Sequence, residues 1–153
     1  MKTISKKFLT LVLIVTNLIF TSALASSEQS SAVYNFNTMP AYQLIDTINM
    51  RFVTSDSFTI IQWNMKAGAK LMPQHKHPNE QVIRVLEGML QVHSGLSITT
   101  LRKGDVMIFA SNVPHGFIAV TDTVMYEQQT PFRKDFLEEG FIQKLSAILK
   151  QNQ

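Results

Sequence analysis

The feature that most restricts this chain is its punctuation. From Leu44 onward, short runs of Val, Ile, Phe and Thr alternate with pairs of turn residues, and no helical stretch separates one run from the next. The runs are Leu44–Val53, Phe58–Met65, Val82–Leu86, Met89–His93, Ser97–Leu101, Val106–Ala110, Gly116–Val120 and Thr123–Gln128. The breaks include Ser55-Asp56, Ala67-Gly68, Glu87-Gly88, Ser94-Gly95, Lys103-Gly104 and Thr121-Asp122. β-Branched and aromatic side chains suit a pleated surface, and Gly, Asp and Ser supply turns. Parallel strands would need a long crossover, usually a helix, between neighbours, so the pattern predicts an antiparallel all-β sandwich or barrel. With 153 residues, 45% of them apolar, there is material for one core and not two.

The barrel is expected over residues 41–131, followed by a helical segment over 132–153. There Phe136, Leu137, Phe141, Ile142, Leu145, Ile148 and Leu149 recur at spacings of three and four, interrupted by Gly140. Such a stripe could lie on the barrel or, with the N-terminal strand, join a second subunit as a homodimer.

Residues 1–25 read as a secretory signal: Lys2, Lys6 and Lys7, an apolar run from Phe8 to Phe20, then Ala23-Leu24-Ala25. The uncharged stretch Phe8–Ala25 is near the lower limit for an uncleaved span, but Thr10, Thr16, Asn17 and Thr21 dilute it. Cleavage after Ala25 would leave no stable membrane anchor, a polar tail over 26–40, and a periplasmic or secreted protein. It would also remove three lysines, leaving eleven basic and eleven acidic residues where the whole chain carries a net charge of +3. Nucleic-acid binding then has no electrostatic support. The absence of cysteine excludes disulfides, thiolate metal sites and a cysteine nucleophile, so any metal must be held by nitrogen and oxygen.

Chemistry concentrates in two segments. In the first, His75 and His77 flank Lys76, and on an extended strand residues two apart share a face, so both imidazoles can aim at one point. If the chain turns at Pro78 and resumes as a strand, Gln81 returns its amide to the same interior, while Glu80 faces outward. In the second, Asn112-Val113-Pro114 bends the chain and presents His115. Neutral imidazoles and an amide oxygen form a donor set for one divalent ion, and nickel, zinc, iron, manganese and copper all accept it. His93 ends its run and is read as a rim or solvent-facing residue. Tyr126, Phe109 and Trp63 are read as core or wall.

These segments, Gly68 to Gly88 and Gly104 to Phe117, resemble the two motifs of the cupin superfamily, small jelly-roll barrels that commonly form dimers. The chain departs from the pattern where Gly68 lies one residue further from the first histidine, Ala110 replaces a proline, Asn112 replaces a glycine and Gln81 replaces a glutamate. With Gln81, the four implied ligands His75, His77, Gln81 and His115 are all neutral, and an anionic substrate would supply the missing charge. The finer pattern, running on through Thr-Pro-Phe-Arg133-Lys-Asp135-Phe, is similar to the KdgF-type pectin-degradation cupins, which linearise 4,5-unsaturated uronates. That resemblance implies that Glu127 moves a proton and Arg133 clamps the substrate carboxylate. Gln129 stands where that group has an aromatic residue. Arg133 could equally pair with Glu127 or Asp135. A cupin dioxygenase or other oxidoreductase, and a non-catalytic metal-dependent binding protein for a small ligand, fit the same motifs.

Overall fold

The computed structural model describes residues 31–153. The leader expected over 1–25, and residues 26–30 of the tail, lie outside the described residues. Ten strands follow in order: β1 Tyr42–Ile45, β2 Ile48–Thr54, β3 Thr59–Met65, β4 Lys70–His75, β5 Glu80–Glu87, β6 Met89–Ser94, β7 Ser97–Arg102, β8 Val106–Phe109, β9 His115–Ala119 and β10 Thr123–Thr130. They form two sheets, ordered β1-β2-β3-β10-β5-β8 and β4-β9-β6-β7, with every pairing antiparallel. The all-β expectation holds.

Alternation along each strand gives the two sheets their inner faces. Ile48 and Met50, Ile61, Trp63 and Met65, Ile83 and Val85, and Met125 meet Leu71, Leu90, Val92, Phe117 and Ala119 from the other sheet, all buried. Burying an aliphatic or aromatic side chain of this size stabilises a fold by about 1.5–3 kcal/mol. The inner face is not apolar throughout. Gln81, His115, Glu127 and Gln129 are also buried, and cross-strand register gathers them at one end. Gln81 stands opposite Phe109 on one side and Gln129 on the other. Met65, opposite both Ile48 and Thr123, marks the far end.

Apart from shifts of one or two residues at strand ends, the structure differs from the sequence reading in three places. The run Leu44–Val53 is two strands, because Asp46 and Thr47 turn the chain so that Ile45 faces Ile48. β4 was missing from the predicted runs. It contains Pro73, Met72 takes a left-handed φ of 61°, and its pairing with β9 is irregular between Leu71 and His75. Third, the C-terminal segment is a 3₁₀ turn, Lys134–Leu137, and then a helix, α1, over Phe141–Gln151. Gly140 lies between them at φ 78°, a conformation that glycine adopts without strain, and it restarts the chain in a new direction.

Of the two surfaces open to the apolar stripe, α1 takes the barrel. Leu145 and Leu149 are buried, and the Ser146 hydroxyl donates to the Leu44 carbonyl of β1. Phe136 links turn, helix and sheet, its ring centroid 5.0 Å from that of Phe52 and 4.4 Å from that of Phe141. Among the described residues no helix is long and apolar enough to cross a membrane.

Candidate functional site

His75 ends β4 and His115 begins β9, and the two are direct cross-strand partners. The irregular passage of β4 presses its backbone onto Gly116, where an added Cβ would stand 3.1 Å from the Gln74 nitrogen and 3.2 Å from the Met72 oxygen. Glycine at that position lets the strands close and brings the two rings to 4.7 Å between centroids. His77 lies in the loop beyond β4, its ring 5.0 Å from His115 and 5.6 Å from His75. Asn112 supports that loop by donating its amide N–H to the His77 carbonyl, 2.8 Å away. It holds φ at 64°, which asparagine tolerates better than most residues, so it substitutes for a glycine there. Phe109 stacks on His115 from behind, at 4.5 Å.

The hydrogen bonds fix which nitrogen of each ring is bare. Nδ1 of His75 is 3.1 Å from the Pro73 carbonyl, Nδ1 of His77 is 3.1 Å from that of Asn79, and Nδ1 of His115 is 2.8 Å from that of Val113. A carbonyl only accepts, so each Nδ1 is the donor and each neutral ring keeps a lone pair on Nε2. Burial pushes all three imidazoles below their usual pKa, His115 to about 4, so the rings are neutral at pH 7. One ligand nitrogen from each lies within 4.8 Å of the others.

The buried Gln81 amide completes the set. Its Oε1 stands 2.9 Å from His77 Nε2 and 3.2 Å from His115 Nε2. With Nε2 bare, these are acceptors facing acceptors, an unfavourable arrangement that a cation among them would reverse. Two donors about 2.1 Å from one ion stand roughly 3.0–3.4 Å apart, which fits these spacings. The Gln81 Nε2 is buried without a partner, and an unmatched amide donor costs about 1–3 kcal/mol. That cost accompanies an oxygen turned toward the histidines. The four residues therefore fit a divalent transition metal, whose identity neutral N/O donors do not specify.

Across the cavity from the histidines the polar atoms belong to a chain of side chains. Trp63 Nε1 donates to Glu127 Oε2 at 2.8 Å, and Gln129 Nε2 donates both to Glu127 Oε1 and, at 3.1 Å, to Gln81 Oε1. Arg133 Nη1 donates to Gln129 Oε1 at 3.0 Å, while its Nε and Nη2 engage the Asp135 carboxylate. Burial raises the pKa of Glu127, opposed by the bonds from Trp63 and Gln129 and by the Arg133 charge. Arg133 thus pairs with Asp135, while its contact with the Glu127 network passes through Gln129. Of the five N–H groups of a guanidinium, three are engaged in these bonds, which leaves two.

Both groups line one cavity of about 390 Å³, roofed by Phe136, Glu138, Phe141 and Lys144 from the C-terminal segment. Each residue singled out from the sequence as a ligand, proton carrier or clamp borders that space except His115, which is buried behind Gln81 with its Nε2 3.2 Å from the Gln81 Oε1. Residues 61–126 match the family described as cupin domain. The described residues have the cupin fold. The fold is similar to KdgF from Halomonas sp. (TM-score 0.66, 17% identity, covering 70% of this chain and 99% of that one). It is similar also to an RmlC-like cupin from Shewanella frigidimarina (TM-score 0.64, 21% identity, 70% and 96%) and to one from Desulfovibrio desulfuricans (TM-score 0.58, 28% identity, 68% and 100%). No curated protein matches the sequence.

Two roles were not foreseen. Trp63 is a wall residue as expected, but its indole also anchors Glu127, and Gln129, noted only as the absence of an aromatic, is a junction of the network. His93 is half-buried, as a rim residue would be: paired with Gly116 and Ile98 on its two sides, it borders a surface pocket, with its Nε2 buried and unpartnered. The cue for Gln129 was present in its strand parity with Glu127, since residues two apart on β10 share a face.

Proposed function

We propose that this protein is an exported, metal-dependent cupin that acts on a small anionic sugar or sugar acid, with 4,5-unsaturated uronates as the preferred class. One observation carries the reading: neutral donors for a divalent ion share a cavity with a buried carboxyl of raised pKa and an arginine with unused N–H groups. The resemblance of the motifs to the KdgF-type cupins supplies the substrate class. When bound, a metal held by His75, His77, His115 and Gln81 would polarise and orient an oxygen of the ligand.

The remaining chemistry belongs to the chain. The charged side chains that line the cavity are Lys76, Arg133 and Lys144 against Glu127, Asp135, Glu138 and Glu139. These charges are close to balanced, so the lining does not by itself attract an anion, and a divalent ion makes it net positive. Arg133 uses its two remaining N–H groups for the C6 carboxylate. Glu127, whose pKa burial raises, donates a proton to C4 of the unsaturated ring while water adds at C5 and returns a proton to the Glu127 carboxylate. The hemiketal then opens as the C5–O5 bond breaks, the C5 hydroxyl gives up its proton, O5 takes one up in its place and C5 becomes a ketone.

The test follows the ultraviolet absorbance of the C4=C5 bond conjugated with the C6 carboxylate, in protein loaded with nickel, zinc, iron or manganese in turn. Absorbance should fall with loaded protein and hold steady after chelation. Steady absorbance with every metal would reject the reaction. Binding of the uronate without chemical change would make the domain a binding module, and oxygen uptake with a catechol would make it a dioxygenase.

A further inference from the structure

A glutamine side chain has nearly the same shape in two orientations, yet only its oxygen can donate a lone pair to a cation. Taken by themselves, the histidines favour the wrong orientation. His77 Nε2 and His115 Nε2 are bare acceptors beside the Gln81 amide, and a half-turn would give them the –NH₂ group as a hydrogen-bond donor. Something else must hold the oxygen in place.

Gln129 is placed to do so. It sits directly across from Gln81 in the β5–β10 register and is itself buried. Arg133 can only donate, so the face that Gln129 turns to it must be oxygen, at 3.0 Å. With its oxygen held by Arg133, Gln129 turns its nitrogen to Glu127 and donates to the carboxyl Oε1. The two end stops agree, and they leave the second N–H of Gln129 aimed at Gln81, 3.1 Å away. A flipped Gln81 would set two –NH₂ groups against each other.

We propose that Gln129 is a positioning residue which, oriented by Arg133 and Glu127, fixes Gln81 as an oxygen donor to the metal. The proposal rests on the metal reading of His75, His77, His115 and Gln81. It adds a second role for Arg133, whose direction of donation is passed through one amide to a metal ligand. It also accounts for the unpartnered Gln81 Nε2, the end of the amide left over when its oxygen is held toward the donors.

A carboxylate presents oxygen in either orientation, and that makes the test. Nickel and zinc affinities are measured by calorimetry for the intact protein, Gln129→Met, Gln81→Glu and the double variant, with circular dichroism and thermal melting to confirm that each is folded. In the Gln81 background, Gln129→Met should weaken binding by about 10–100-fold, as loss of a partner that orients a ligand does. In the Gln81→Glu background the same change should leave affinity within about twofold, the scatter of independent sites. Equal losses in both backgrounds would mean that Gln129 only packs, and no loss in the first would remove its role; either overturns the proposal and leaves the metal site standing. Failure of the intact protein to bind either ion would overturn the metal reading and this inference together.

Discussion

The two walls of the cavity hold their polar atoms by different means. On the histidine wall, each ring is anchored through Nδ1 to a backbone carbonyl two residues away in sequence, at Pro73, Asn79 and Val113. On the facing wall, Trp63, Glu127, Gln129, Arg133 and Asp135 orient one another, side chain to side chain, across strands β3 and β10 and the turn after β10. A local anchor forms wherever its own segment has the right conformation. A relay needs every member and the register that juxtaposes them, so one substitution is felt along its length. Only Gln81 belongs to both walls.

The comparison predicts unequal responses to damage. His115→Ala removes a buried donor that no neighbour replaces. It should weaken metal binding by more than the roughly 10–100-fold typical of partners that merely orient a ligand, and with it abolish metal-dependent binding of uronate. Calorimetry with nickel and zinc checks both. Undiminished affinity would mean that the three rings do not act as one site. On the other wall the expected loss is in stability. Trp63→Phe deletes the indole N–H that Glu127 accepts at 2.8 Å, and hydrogen bonds to charged groups contribute about 1.5–3 kcal/mol. Urea unfolding at pH 7 should show a loss of that order, with metal affinity little changed. A large drop in affinity would instead tie Trp63 to the ligand set.

The same difference explains what could be read from the sequence. His75 and His77 lie two apart, Pro114-His115 follows a bend, and Gln81 follows within a few residues, so local spacing alone carries the histidine wall. The relay is a matter of register. That Gln129 faces Gln81, and that Trp63 reaches Glu127 from a strand more than sixty residues away, follows from how β3, β5 and β10 align, which no short window contains. Glu127 and Arg133 entered only through resemblance to a known motif, and Asp135 only as an alternative partner. The β-rich pattern gave the architecture, yet β4, which carries His75, was hidden because Pro73 and the left-handed Met72 break the strand signal. Asp46 and Thr47 likewise look like polar positions within one strand until Ile45 and Ile48 are seen to pair.

The smallest expected effect is also the one in which the walls oppose each other, through the pH dependence of stability in metal-free protein. The imidazoles of His75, His77 and His115 have pKa values below the ordinary 6.5, chiefly because they are buried. Between 6.5 and those lower values, the unfolded chain binds more protons than the folded one, so stability falls as pH drops through that window. Glu127 has the reverse sign. Burial raises its pKa above the ordinary 4.5, so there the folded chain binds the extra proton and acidification stabilises it. Three rings against one carboxyl predict a net loss of stability between pH 7 and pH 5, measured by urea unfolding with chelator present. Glu127→Gln removes the opposing contribution, so its loss over the same interval should be larger than that of the intact protein. An equal or smaller loss would mean that Glu127 stays ionised throughout, held so by Trp63, Gln129 and the Arg133 charge, and would leave it without a proton to give at neutral pH.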